Sequence, residues 1–438
     1  MTHHSRYNYT VAIPGSNECL VYNFNTGAML RLDRAQKVLF DLSPRFSQDH
    51  PVVKRWHELG FLSDCDELEV LKDQVRKRYS DYAARTDKVL RLTLHVTSLC
   101  NFACPYCFQA RRSGHMAQEV QDQVVRLTKA KLAQGGYERM TVDWFGGEPL
   151  LAADIIDNLG HRLMYVAAQH GAGFSSNIHT NAYLLDQAMV DLLEGVNCRF
   201  AIVTLDGYGP EHDKTRYLHG GGATFERIID NLSAIKTSMV LNIRSNLHAG
   251  NYESYKRLQE TIVAIAKRTG NEMRCSPTQV HGTDAGRERG DATSFLSNDE
   301  YYKILDTTDL EERSNTYVPK LFSCHVVQLD NYLIDDEGYL FPHCNELAAN
   351  RDFAYGNILD LGEGGIDMLD RIHMQWCLEN VLPTKDEECI GCGLLTVCYG
   401  GCLLPRQRGG RSCMRKPERI DAYLLKKADA LEKSKAGS

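Results

Sequence analysis

No apolar run in the sequence approaches the ~20 residues needed to span a bilayer, so no membrane segment is expected. The first residues, Met1-Thr2-His3-His4-Ser5-Arg6, lack the apolar stretch of a secretory signal. An excess of cations is missing too: the formal net charge is −7 over 438 residues. Binding phosphates needs a cationic surface, so nucleic acid is not expected as the main partner. Cysteine, by contrast, is plentiful, with 15 copies. In a secreted chain that number would suggest disulfides. In a cytosolic chain, clustered three and four residues apart, cysteines read as metal ligands. A cytoplasmic, oxygen-sensitive protein is the expectation. Hydrophobic content of 43% and charged content of 24% are those of an ordinary globular protein, and the length leaves room for two or three domains.

The first cysteine group, Cys100, Cys104 and Cys107, lies in Thr97-Ser98-Leu99-Cys100-Asn101-Phe102-Ala103-Cys104-Pro105-Tyr106-Cys107-Phe108. It follows an alternating apolar run, 91–97, so a strand can end there and aim three thiolates at one point. Three soft ligands suit an iron–sulfur cluster or a thiophilic metal. A [4Fe–4S] cube has four irons, and three protein ligands leave one of them open. The alternative is a structural zinc site with a distant fourth ligand, although such sites more often pair two C-x2-C knuckles. From residue 89 to about 282 strands and helices alternate. The six strands fall near 92–96, 140–145, 174–179, 200–205, 240–244 and 272–275. Helical stretches fall at 118–132, 155–169, 187–193, 225–236 and 255–269. Such alternation implies parallel strands joined by crossover helices. Chemistry is then expected at the carboxyl ends of the strands.

The cysteine loop resembles the cluster-binding loop of the radical S-adenosylmethionine (radical SAM) superfamily. In that family the open iron chelates the amino acid end of SAM, with Tyr106 beside it here. The resemblance implies an α/β fold with a partial (β/α)6 radical SAM barrel. Gly146-Gly147-Glu148-Pro149, at the end of the second strand, matches the family's GGEP motif, whose backbone binds the SAM ammonium group. Thr180-Asn181 ends the third strand and resembles the pair near the SAM ribose and methionine. The fourth strand ends in Thr204-Leu205-Asp206-Gly207, with Thr204 where many relatives have serine. Arg216 is a candidate for the SAM carboxylate, or else an exposed arginine at a helix end. Arg244, on an otherwise apolar fifth strand, is a second cofactor candidate, because a barrel-facing charge needs a partner. Cys275 ends the sixth strand and is either a core thiol or a catalytic one facing the cavity.

The flanks carry the remaining expectations. Residues 1–68 read as a short antiparallel meander followed by two helices, the first capped by Asp33. This layout resembles the winged-helix-like leader-binding domain of ribosomal peptide maturases; a sheet-capping extension would look the same. A linker helix is expected over 69–89, the barrel over 90–310 and a C-terminal helix and tail over 417–438. Between them, 311–416 holds Cys324, Cys344, Cys389, Cys392, Cys398, Cys402 and Cys413. This is the seven-cysteine pattern of the SPASM iron–sulfur domain, which carries two auxiliary clusters in relatives. By position, Cys389, Cys392, Cys398 and Cys413 would ligate one, and Cys324, Cys344 and Cys402 the other. Asp330 stands where some relatives have a further cysteine, so the last iron is expected to be open or bound by oxygen.

Together these features imply three [4Fe–4S] clusters, SAM, a precursor peptide with a leader sequence and a low-potential electron donor such as flavodoxin or ferredoxin. The expected reaction is radical modification of a ribosomally made peptide, forming a thioether or carbon–carbon crosslink. A sulfatase-type maturase is the alternative, but those relatives place an aspartate base after the cysteine equivalent to Cys344. This chain has Asn345 there, with Glu346 adjacent as the candidate catalytic carboxylate. An electron-transfer protein without catalysis is the third reading, and it leaves the loop 146–149 without a purpose.

Overall fold

The structure is a computed structural model describing residues 2–82, 88–109, 114–248, 250–279, 301, 326, 328–362, 365–380, 386–398, 400–404, 413 and 417–436. The chain divides into two compact units, each assembled from separated stretches. One contains residues 1–81 and 375–438, and the other 82–310 and 325–374; the short stretch 311–324 belongs to the first.

In the first unit, β1 (His3–His4) pairs with β5 (Leu62–Ser63), and β2 (Asn8–Ala12), β3 (Cys19–Asn23) and β4 (Met29–Leu32) form an antiparallel sheet. Helices α1 (Arg34–Leu42) and α2 (Pro51–Glu58) bury Phe40, Val53 and Trp56 against Val21, Leu32 and Phe61. Helix α1 begins at Asp33 because the carboxylate accepts from Gln36 N while the Gln36 side chain accepts from Asp33 N, a reciprocal cap. Helix α3 (Glu67–Tyr82) follows. The C-terminal part of this unit packs on the same sheet. Arg6 Nη2 donates to the Ile390 carbonyl at 2.7 Å, Thr396 Oγ1 to that of Phe24 at 2.9 Å, and Tyr9 to Asp421 at 2.9 Å. A Cβ on Gly393 would lie 2.9 Å from the Arg6 carbonyl oxygen, so only glycine lets the two segments approach so closely. The N-terminal meander and the segment carrying Cys389, Cys392 and Cys398 therefore form one body.

The second unit is built on β6 (Val89–Thr97), β7 (Arg139–Gly146), β8 (Gly173–Thr180), β9 (Cys198–Thr204), β10 (Val240–Leu247) and β11 (Met273–Gln279). All six are parallel and lie side by side in chain order. The crossover helices are α4 (Gln118–Ala133), α5 (Ala153–Gln169), α6 (Gln187–Gly195), α7 (Pro210–Asp213), α8 (Phe225–Ala234) and α9 (Tyr252–Thr269). The alternation of each strand splits its residues between two environments. Leu92, Leu94, Val142, Trp144, Ile178, Val203, Leu241 and Ile243 join the buried core with the helices. The other face carries Thr93, His95, Thr97, Asp143, Asn177, His179, Thr204, Asn242, Arg244 and Asn246.

A further strand, β12 (Asn331–Ile334), pairs parallel to β6, and β13 (Tyr339–Phe341) and β14 (Gly356–Asn357) extend the sheet antiparallel. Pairing β12 with β6 removes what would be an open edge on the first barrel strand. Helix α10 (Gly365–Asn380) is tied to this addition: Lys131 of α4, fully buried, donates to Asp370 at 2.6 Å, and Tyr332 of β12 donates to the same carboxylate. Replacing Lys131 with Ala strips a buried cation from its partner. It is expected to destabilise the protein by about 3 kcal/mol, read as a lowered urea midpoint at unchanged slope.

Candidate functional site

Backbone contacts between the loops after β6 and β7 set the geometry of the cysteine loop. Gly147 N donates to the Thr97 carbonyl at 2.8 Å, and Glu148 N to that of Leu99 at 2.7 Å. A Cβ at Gly146 would sit 2.2 Å from the Thr97 oxygen, and one at Gly147 2.0 Å from that of Leu99. Gly146 also has a φ of 120°. Both glycines are thus required by their fit to the cysteine loop, before any ligand is considered. Glu148 is buried and its carboxylate is fully engaged, accepting from Leu150 N at 3.1 Å, Thr180 Oγ1 at 2.6 Å and Asn181 N at 2.7 Å. Burial raises its pKa, against the opposing pull of those donors. Pro149 starts the short helical turn that follows. Asn181 Nδ2 in turn donates to Asn101 Oδ1 of the cysteine loop at 2.7 Å.

On the other side of the loop, Tyr106 is a hub. Its hydroxyl donates to Asp206 Oδ2 and accepts from Arg216 Nη1 at 3.0 Å and from Asn246 Nδ2 at 3.2 Å. Thr215 Oγ1 also donates to Asp206 Oδ2, at 3.0 Å. Burial raises the Tyr106 pKa well above its ordinary value. Arg216 is not an exposed helix-end residue: its Nε is enclosed, and its guanidinium lies 5.7 Å from the Phe102 ring centre. The three thiols lie near enough to influence one another. Burial, with mutual repulsion added, pushes Cys100 up to about 11 and Cys104 to about 12.

Beyond this loop the placements diverge. Thr204 lies on the polar face in register with Arg244. Cys275 does not join that face: it is in register with Ile243, packs against Tyr255, and is pushed by burial up to about 12. It behaves as a core thiol. Glu346 lies close enough to Arg244 to act on its charge, while Asn345 bonds to His95 Nε2 at 2.9 Å and His343 to Thr93 Oγ1 at 2.7 Å. These two bonds hold Cys344, the residue between them, beside the first barrel strand. Asp330 accepts from Tyr137 at 2.5 Å, and its carbonyl accepts from Arg91 N, so it is built into the sheet margin and one of its oxygens is already used. In the first unit Cys392 and Cys413 lie near enough to Cys398 to act on its charge, and Cys389 opens the turn to Cys392. Cys402 is exposed, and Cys324 lies outside the described residues.

Sequence reasoning missed the ring of contacts around Phe145. The His95 ring centre lies 5.2 Å from it and that of His179 4.8 Å. Polar residues at alternate strand positions, 93/95/97 and 175/177/179, were the available sign. A parallel strand covered on both faces would be apolar throughout.

With this geometry, comparison with known proteins is decisive. The model of the radical SAM superfamily matches residues 94–265. Residues 94–265 thus match a radical SAM domain. PqqA peptide cyclase of Ruegeria pomeroyi is 25% identical over 194 residues, covering 44% of this chain and 48% of that protein. GTP 3',8-cyclase of a Synechococcus species is 35% identical over 202 residues, covering 46% and 53%. The chain spans about half the length of these curated relatives. Among solved structures, Streptococcus suis SuiB bound to S-adenosylmethionine superposes with a TM-score of 0.53 at 15% identity, covering 93% of this chain and 97% of that one. At that identity the likeness concerns the fold.

Radical SAM proteins use a [4Fe–4S] cluster and SAM. Among the described residues no three Cys, His, Asp or Glu side chains are gathered at the spacing that chelates a single ion. A cube binds each thiolate through a different iron and holds them further apart. Four polar atoms around the loop are buried without a partner: Ser98 Oγ, Asn101 Nδ2, Asp206 Oδ1 and Arg216 Nε. Each costs about 1–3 kcal/mol if left so. Three converging thiols inside a shell of unpartnered donors and acceptors fit a cluster with a polar, charged ligand beside it. Tyr106→Phe removes the hub hydroxyl and leaves the Asp206 carboxylate held by Thr215 alone. A loss of about 2 kcal/mol in unfolding free energy is expected, measured by urea titration under anaerobic conditions.

Proposed function

We propose that the protein is a radical SAM enzyme that modifies a ribosomally synthesised precursor peptide, joining two of its side chains through a thioether or a carbon–carbon bond. The observation that carries this reading is the likeness of 194 residues of the chain to a peptide cyclase, combined with a second cysteine array beyond residue 311. The N-terminal sheet supports it: β2 and β4 are edge strands to which an extended leader could add. A small soluble electron donor, such as flavodoxin or ferredoxin, completes the partners.

Cys100, Cys104 and Cys107 would hold the catalytic cluster. Cys389, Cys392, Cys398 and Cys413 would hold one auxiliary cluster, and Cys324, Cys344 and Cys402 the other. When bound, the catalytic cluster and SAM supply one-electron cleavage of a sulfonium and hence abstraction of a hydrogen atom from an unactivated carbon. The chain's own residues do the rest. Carbonyls of the loop Gly146–Pro149 would hold the ammonium end of SAM, and Arg216, carrying an unpartnered Nε, would take its carboxylate. Thr180, Asn181, Thr204 and Asp206 supply the polar wall around the remainder. Tyr106 and Asp206 keep Arg216 oriented through the hydrogen bonds already described. The polar face of the barrel receives the peptide and excludes bulk water, which confines the reactive species.

Anaerobically reconstituted protein is expected to hold about twelve irons per chain, as three cubes require. The variant with Cys100, Cys104 and Cys107 all changed to Ala should lose about four of them and make no 5'-deoxyadenosine. With a precursor peptide encoded beside the gene, the product should lose two hydrogen atoms by mass spectrometry. A triple variant that still cleaves SAM reductively would contradict the assignment of the site, and an unmodified peptide would contradict the reaction.

A further inference from the structure

Arg216, in the loop after β9, and Arg244, on the polar face of β10, have different surroundings. Arg216 is drawn into the Tyr106–Asp206 hub, next to Cys104. Arg244 projects from the carboxyl half of β10, in register with Thr204 on one side and Ser276 on the other. It is exposed, and among the described residues its guanidinium makes no hydrogen bond or ion pair. The groups around it are also committed. His95 is bonded to Asn345 and His343 to Thr93. His179 is kept neutral, its pKa pushed down to about 3 by burial first and then by Arg244, His95 and His343. Glu346, Asp206 and Tyr106 act on Arg244 through space without touching it. A guanidinium carries five donors in a planar fork that matches a carboxylate two bonds at a time. Set on a polar face with a neutral imidazole at His179 and amides around it, an uncommitted fork of this kind is a receptor for an anion.

Both arginines are candidates for the cofactor on sequence grounds, Arg244 because a barrel-facing charge needs a partner. SAM has one carboxylate, and Arg216 already stands among the unpartnered atoms of the cysteine loop. We infer that Arg244 is a substrate-binding residue, forming a subsite for the side-chain carboxylate of an aspartate or glutamate in the peptide, next to the residue that is modified. This rests on the peptide-modifying reading and adds a selection rule to it: an acidic residue lies close to the modified position.

The test uses the full-length, anaerobically reconstituted protein with saturating SAM and measures binding by calorimetry. The probes are N-acetylglutamate N-methylamide, its glutamine counterpart, and N-acetylalanine as a model of a chain end. SAM affinity is measured separately by equilibrium dialysis. Wild-type protein should bind the glutamate probe at least about tenfold more tightly than the glutamine probe. Arg244→Gln should remove that preference and Arg244→Lys restore part of it, with SAM affinity within about twofold of wild type. Weaker SAM binding with the probe preference intact would return Arg244 to the cofactor. Preference for N-acetylalanine would move the subsite to a chain terminus, and no preference in wild-type protein would make Arg244 a solvated charge. Each of these three results overturns the inference. Because binding is read without turnover, a protein that selects the glutamate probe and modifies no precursor peptide would sink the proposed reaction and leave the subsite standing.

Discussion

The contact on which the site depends is between two stretches of backbone. The Thr97 and Leu99 carbonyls accept from Gly147 and Glu148, at a separation where a single methyl group at either glycine would overlap a carbonyl oxygen. This contact fixes the first turn of the cysteine loop against the end of β7. Glu148 then carries the constraint to β8 through Thr180 and Asn181, and Asn181 returns it to the loop at Asn101. The result is a closed circuit of hydrogen bonds through three strand ends. Its carboxylate is buried, so losing any one donor would leave an acceptor exposed to a low-dielectric interior.

Much of the barrel was legible because local and long-range preferences agree there. Each of the six expected strands overlaps an observed one, and so do the five long crossover helices, from Gln118–Ala133 to Tyr252–Thr269. Strands with an apolar residue at every second position and helices with an apolar stripe have one way to share a core. The Asp33 cap was equally plain, since an aspartate before an apolar-periodic run can accept from the N–H three residues on, and here the Gln36 side chain returns a bond to Asp33 N. Of the site, the cysteine spacing and the Gly-Gly pair were readable. The reason for the glycines was not: they serve the fit between two loops as well as any ligand approach.

What could not be read is whatever depends on distant pairing. Residues 331–334 carry no feature that names β6 as their neighbour, and four consecutive buried residues suit any covered strand. Cys275 looked like a cavity residue because it ends a strand, but its face is set by register with Ile243, which spacing alone does not supply. Asp330 looked like a replacement ligand by position in the cysteine pattern. Its carboxylate instead serves Tyr137.

The polar face also explains why β12 and β13 return to the barrel. Parallel sheets are usually covered on both faces and apolar on both. Here one face is lined by Thr93, His95, Asp143, Asn177 and His179, which cannot pack as a dry core without partners. Some partners are internal, as when Asn177 donates to Asp143 at 2.7 Å. Others come from the segment after β13, whose His343 and Asn345 close over Thr93 and His95. Among the described residues this cover reaches the first strand, and Arg244, further along the face, stays exposed. The same two hydrogen bonds that satisfy the buried first strand therefore set the position of Cys344 and fix one wall of the cavity. A substitution at Thr93 or His95, some 250 residues before Cys344 in sequence, would loosen both together.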